Sequence, residues 1–206
     1  MKRLKLSGVL YFLAGSIALM GIITAEATYP AGYSTFNNEI SDLGSTKPPI
    51  IIIHQPSAGI FNVSMLLAGL MSLGASIYQH LHFRKFLFTV PIMFFGLGLV
   101  GVGLFPGNIT PYHSMSSLLA FLSGGIAAIF SFKVMAAPFK YIGIAFGIIG
   151  ITTWVIAVFA THLIVPFIGL GGTERWVVYP IMLWLTGVGG YFMSNQSINS
   201  NKKQYA

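Results

Sequence analysis

Long apolar runs recur along the chain at residues 6–24, 59–78, 86–104, 114–132, 141–163 and 176–193, and the polar positions collect between them. Each run has about 18 to 23 residues, enough for a helix to cross roughly 30 Å of hydrocarbon at about 1.5 Å per residue. A helix satisfies its own backbone donors and acceptors, so it can cross where water is absent. A membrane β-barrel is built from short alternating segments, and these runs are too long and do not alternate. The pattern predicts an all-α integral membrane protein: one six-transmembrane-helix bundle over residues 1–194, then a polar tail at 195–206.

Composition agrees, with 55% hydrophobic and 7% charged residues, against roughly 25% charged in an average soluble domain. The placement of charge adds orientation. Nine of the 11 Lys and Arg are Lys2, Arg3, Lys5, Arg84, Lys85, Lys133, Lys140, Lys202 and Lys203, all at one end of the predicted bundle. The exceptions are Lys47 and Arg175, and the acidic residues Glu26, Glu39, Asp42 and Glu174 all fall at the opposite end. Basic flanks are retained on the cytoplasmic side. Both termini are therefore expected in the cytoplasm, in the cell membrane, with residues 25–58 forming an outer loop that caps the bundle. Lys2, Arg3 and Lys5 before an apolar run resemble the start of a signal peptide. The run is too long for a signal core and lacks a small-x-small cleavage site, so it reads as the first span.

The net charge of +7 does not point to nucleic acid, because the basic residues are spread over four short segments and form no recognition stripe. Membrane lipids with anionic headgroups are the expected partners. The absence of cysteine removes disulfides, thiolate nucleophiles and iron–sulfur ligation. Glycines such as Gly143 and Gly147 predict close helix packing, inside the monomer or in a homo-oligomer.

The polar chemistry gathers at the acidic end. The loop around Glu39-Ile40-Ser41-Asp42-Leu43-Gly44 mixes carboxylates with apolar residues, which predicts a short helix or turn folded back onto the bundle. Gly44 is expected to leave that turn in a left-handed conformation, and Asp42 either to cap it or to pair with Arg175. The apolar stretch Ile50–Ile53 is expected to dip into the interface or cap the bundle. Asn62 lies about one turn inside the second span, His113 opens the fourth, and His162 ends the fifth. Pro166 is expected to end the fifth helix or bend its exit, with Gly169, Gly171 and Gly172 in a turn and Glu174–Arg175 just before the sixth span. Asp42, Asn62, His113, His162, Glu174 and Arg175 are thus candidate ligand-binding residues at one membrane depth. Each also has an ordinary structural role open to it as a cap, loop anchor or hydrogen-bond partner.

Residues Asn38–Gly44, Phe61-Asn62, Gly103-Leu104-Phe105-Pro106 followed by His113, Gly172–Arg175 and Tyr179-Pro180 together resemble an uncharacterised archaeal and bacterial membrane family, a domain of unknown function. The resemblance implies a multi-pass bundle with a shared outer-face site and assigns no role to any residue.

The first functional expectation is recognition of a lipid or small amphiphile at an outer polar pocket, with polar contacts on the headgroup and apolar walls along the tail. The second is a membrane-embedded lipid hydrolase or transferase. In it His113 or His162 acts as general base, with Asp42 or Glu174 orienting it or binding a metal, and Ser34, Ser41 and Ser114 are candidate nucleophiles. The third is a structural subunit of a membrane complex. His113, His162 and Glu174 are the candidate metal ligands, although no His-Glu-x-x-His motif occurs and no two outer histidines stand four apart. Haem would need His113 and His162 on neighbouring helices. The residues name no cofactor.

Overall fold

A computed structural model describes the backbone of residues 2–204 and the side chains of residues 2–194; the side chains of the polar tail, Lys202 and Lys203 included, lie outside the described residues. The helices are α1 (Lys2–Ala27), α2 (Ser57–Phe83), α3 (Phe86–Leu104), α4 (Tyr112–Phe130), α5 (Phe139–Phe159) and α6 (Val165–Gln204). All six are long and apolar enough to cross a membrane, and no strand occurs among the described residues. The chain is an all-α, multi-pass integral membrane protein.

Close approaches between helices show how they run. Gly8 lies against Gly189 and Gly15 against Met182, so α1 and α6 are antiparallel; Gly69 against Gly96 and Gly103 against Asn62 say the same of α2 and α3. Each helix packs on its neighbours in chain order, and α1 closes the ring against α6. One end of the bundle therefore holds Lys2, Arg3, Lys5, Arg84, Lys85, Lys133 and Lys140, and the other holds Glu26 and the connections 28–56, 105–111 and 160–164.

The core mixes small residues at the closest helix approaches with large ones, Tyr11, Phe88, Phe95, Trp184 and Phe192 among them, all fully buried. Helix α1 buries Ser7, Gly8, Ala14, Gly15, Ala18 and Gly21 and turns Leu13, Met20 and Ile23 outward. Lipid tails are as apolar as leucine, so the large buried side chains contribute packing and not a hydrophobic drive, and the small ones favour association by letting the backbones approach.

Two expectations are corrected at the end of α5. Pro166 does not end that helix: α5 stops at Phe159, a 3-10 turn covers Thr161–Leu163, and Pro166 lies in the first turn of α6. A missing amide donor is harmless there. The Gly169–Gly172 segment is not a loop either. It is helical apart from a break at Gly169, whose φ of 72° and ψ of 174° favour glycine. Glu174 and Arg175 consequently project from a helix.

Candidate functional site

The connection from α1 to α2 is built as a plug. Ile40–Leu43 forms a 3-10 helix with Ile40 and Leu43 buried, as the apolar pair around Asp42 predicts. The Glu39 side chain accepts from the Asp42 backbone while Asp42 Oδ2 accepts from Glu39 N–H at 3.0 Å, a reciprocal cap of the 3-10 helix start. Gly44 is right-handed, with φ −84°, so its expected left-handed exit is corrected. A side chain is disfavoured there for a different reason: a Cβ would stand 2.5 Å from Asn62 Oδ1 and 2.9 Å from the Phe61 ring, and both would have to shift. Asn62 thus supports the plug from below, and its Oδ1 is buried without a hydrogen-bond partner among the described residues.

Helix α6 ties the plug down. Glu174 Oε2 accepts from the backbone N–H of Ile40 and, at 3.3 Å, of Ser41. Arg175 Nη1 donates to the carbonyls of Thr35 (3.2 Å), Asn38 (3.1 Å) and Gly171 (2.9 Å), and Nη2 to Tyr33 Oη (2.8 Å) and Glu26. Of the two roles expected for Asp42 it takes the cap and not the pairing with Arg175, whose carboxylate partner is Glu26, at the end of α1. Gly171 is glycine because Asn38 and Thr35 carbonyls occupy the place of its Cβ.

Charge in the loop follows these contacts. Burial, then the neighbouring Glu39, raises the Asp42 pKa; the Glu39 N–H bond, Lys47 and Asn38 oppose the shift. For Lys47, burial lowers the pKa, but the Glu39 ion pair and then the Glu174 and Asp42 charges outweigh it and the net shift is upward. Burial also raises the Tyr33 hydroxyl, against the opposing effect of Arg175, so it stays protonated and donor-competent.

Beneath the plug lies a cavity of about 370 Å³ between α4, α5 and α6. Its polar lining is Glu39, Ser41, Lys47, His113, Ser114, Ser117, Thr173 and Glu174, and its apolar wall includes Leu118, Phe121, Val158, Leu170 and Val177. His113 is 2% exposed. Its Nδ1 lies 2.7 Å from the carbonyl oxygen of Phe105, which can only accept, so Nδ1 carries a proton. Nε2 faces Ser117 Oγ at 3.4 Å.

The candidates are therefore only partly gathered. His113 and Glu174 line the cavity; Asp42 and Arg175 build the plug over it; Asn62 stands behind the plug. His162 is exposed on the 3-10 turn after α5 and is not on the cavity lining. Among the described residues no group of three or more His, Cys, Asp or Glu is placed to hold a metal ion, so His113, His162 and Glu174 do not form the expected ligand set. Ile50–Ile53 is exposed, Ile50 by 70%, and does not cap the bundle. Four contributors had not been singled out: Glu26, Tyr33, Lys47 and Ser117. Only Ser117 carried a legible signal, standing four residues after His113 on a helix, where side chains meet.

The family described as Protein of unknown function (DUF998) matches residues 12–191. The chain belongs to that family. The match starts inside α1 and ends inside α6, so the DUF998 region takes in the plug, the cavity, four spans whole and most of the first and last. No curated protein and no solved structure matches the chain.

Proposed function

We propose that this protein binds a lipid or small amphiphile in the cavity between α4, α5 and α6. The observation that carries the proposal is the two-sided lining. On α4 the polar His113, Ser114 and Ser117 give way to Leu118 and Phe121, about 12 Å deeper at the last of them. The cavity's 370 Å³ falls within the roughly 300–1,000 Å³ of small-ligand sites. A polar headgroup meets Glu39, Lys47, Glu174 and the hydroxyls, while a tail lies along the wall of Leu118, Phe121, Val158 and Val177.

The test is retention of native lipid through mild detergent extraction, read by native mass spectrometry. Ala157→Trp fills the cavity, and Leu97→Trp adds the same bulk on an exposed face of α3. Loss of the retained species in A157W alone supports the proposal. Equal retention in both variants contradicts it.

We further propose that the cavity opens on the outer side of the cell membrane, with both termini in the cytoplasm. Support comes from the seven basic residues at the opposite end of the described bundle, Lys2, Arg3, Lys5, Arg84, Lys85, Lys133 and Lys140. Reporters inserted near Lys47 and near Arg84 should report outside and inside respectively; the reverse result overturns the orientation.

A further inference from the structure

We propose that Ser117 and His113 form a nucleophile–base pair, and that the protein transfers or hydrolyses an acyl group of the amphiphile held in the cavity. The proposal rests on the cavity being the amphiphile's site. The geometry has the three parts that activation of a hydroxyl requires: a nucleophile, a base in reach of it, and a third group that orients the base. Ser117 Oγ lies 3.4 Å from His113 Nε2, a separation loose enough to tighten when substrate closes the site. The Phe105 carbonyl, 2.7 Å from Nδ1, holds the proton on that nitrogen and leaves the Nε2 lone pair directed at the serine. The imidazole cannot swing away, because it is buried at the start of α4.

Position supports the same pair. Ser117 also lines a smaller, almost wholly apolar chamber of about 40 Å³ deeper in the bundle, together with Phe61, Phe95 and Leu99. Ser41, Phe121 and Glu174 share both linings with it. On α4 the hydroxyl stands between the polar Ser114 and the apolar Leu118 and Phe121, where the carbonyl of an ester lies when its head meets the polar lining and its tail runs along that wall. Lys47 supplies a cation on the same lining. Ser114, adjacent to His113 in sequence, lines the cavity too, but the hydroxyl paired with the ring is one helical turn further on.

The chemistry balances without a further reagent. Ser117 Oγ bonds to the ester carbonyl carbon as His113 Nε2 takes its proton. The bond from that carbon to the alcohol oxygen breaks, and the departing oxygen takes the proton from Nε2. Water, or the hydroxyl of a second amphiphile, then attacks the acyl-serine, with Nε2 accepting its proton and returning it to Ser117 Oγ as the acid or new ester leaves.

An alkyl fluorophosphonate, applied to the full chain in native-lipid nanodiscs and followed by peptide mass spectrometry, tests the pair. His113→Asn keeps an N–H for the Phe105 carbonyl but has no ring base for Ser117. The expected result is modification of Ser117 in the wild type, slowed about 100-fold or more in H113N. Several results overturn the proposal: no modification of Ser117 in protein that keeps its lipid, modification at Ser114 instead, or an unchanged rate in folded H113N. If H113N fails to fold, the residue modified in the wild type decides alone. Loss of lipid retention in A157W with an unmodified Ser117 leaves the binding site standing and removes only the nucleophile–base pair.

Discussion

Replacing Arg175 by alanine removes the tie between the plug and the bundle. The guanidinium donates to three carbonyls, Tyr33 and Glu26, and the Arg175 and Glu26 side chains are 10% and 21% exposed. Breaking a fully buried ion pair by deleting one partner costs about 3–5 kcal/mol. Some water reaches this pair and can solvate the stranded Glu26, which places the loss nearer to about 2–3 kcal/mol. For a chain of this size each kcal/mol lowers Tm by about 2–4 °C, so the expected drop is about 4–12 °C. Arg175→Lys should resemble R175A more than wild type, because one ammonium cannot reach both the Thr35–Asn38 carbonyls and Glu26. The assay is thermal unfolding in one fixed detergent, followed by tryptophan fluorescence, beside limited proteolysis of the loop at Lys47. Both variants should melt early and be cut faster. An R175A melt within about 1 °C of wild type, with proteolysis unchanged, would refute the role given to this residue.

The remaining predictions concern packing and pH. Gly189→Ala should destabilise by about 1–3 kcal/mol, because its Cβ would meet the Gly8 carbonyl at 2.6 Å and the Phe12 backbone. Gly190→Ala, with nothing within 4 Å of its Cβ, should leave the melt unchanged or raised; equal effects of the two would contradict the α1–α6 packing. Asp42→Asn should be at least as stable as wild type at pH 7, since the raised Asp42 pKa means that the folded loop disfavours the charge. Wild type loses that penalty as pH falls through the raised value towards the ordinary 3.8, so the advantage of Asn should fade there; a less stable D42N at pH 7 would contradict this.

The six spans were legible because their apolar runs match the bilayer's length requirement, and the plug because Ile40 and Leu43 flank Asp42 with greasy residues. The start of α6 was misread for a physical reason. Glycines at 169, 171 and 172 read as a turn, whereas Gly171 is small to admit the loop carbonyls and only Gly169 breaks the helix. The Arg175–Glu26 contact joins residues 149 positions apart, and no local pattern announces it. The Ser117–His113 contact obeys simple helical spacing and was passed over for the adjacent Ser114.

Occupancy of the cavity is the central claim, and photo-crosslinking tests it most directly. A lipid carrying a diazirine in its tail should, on illumination in membranes, label Leu118, Phe121, Val158 or Val177. Labelling confined to outward faces such as Phe86 and Leu97, with none on the cavity wall, would contradict it.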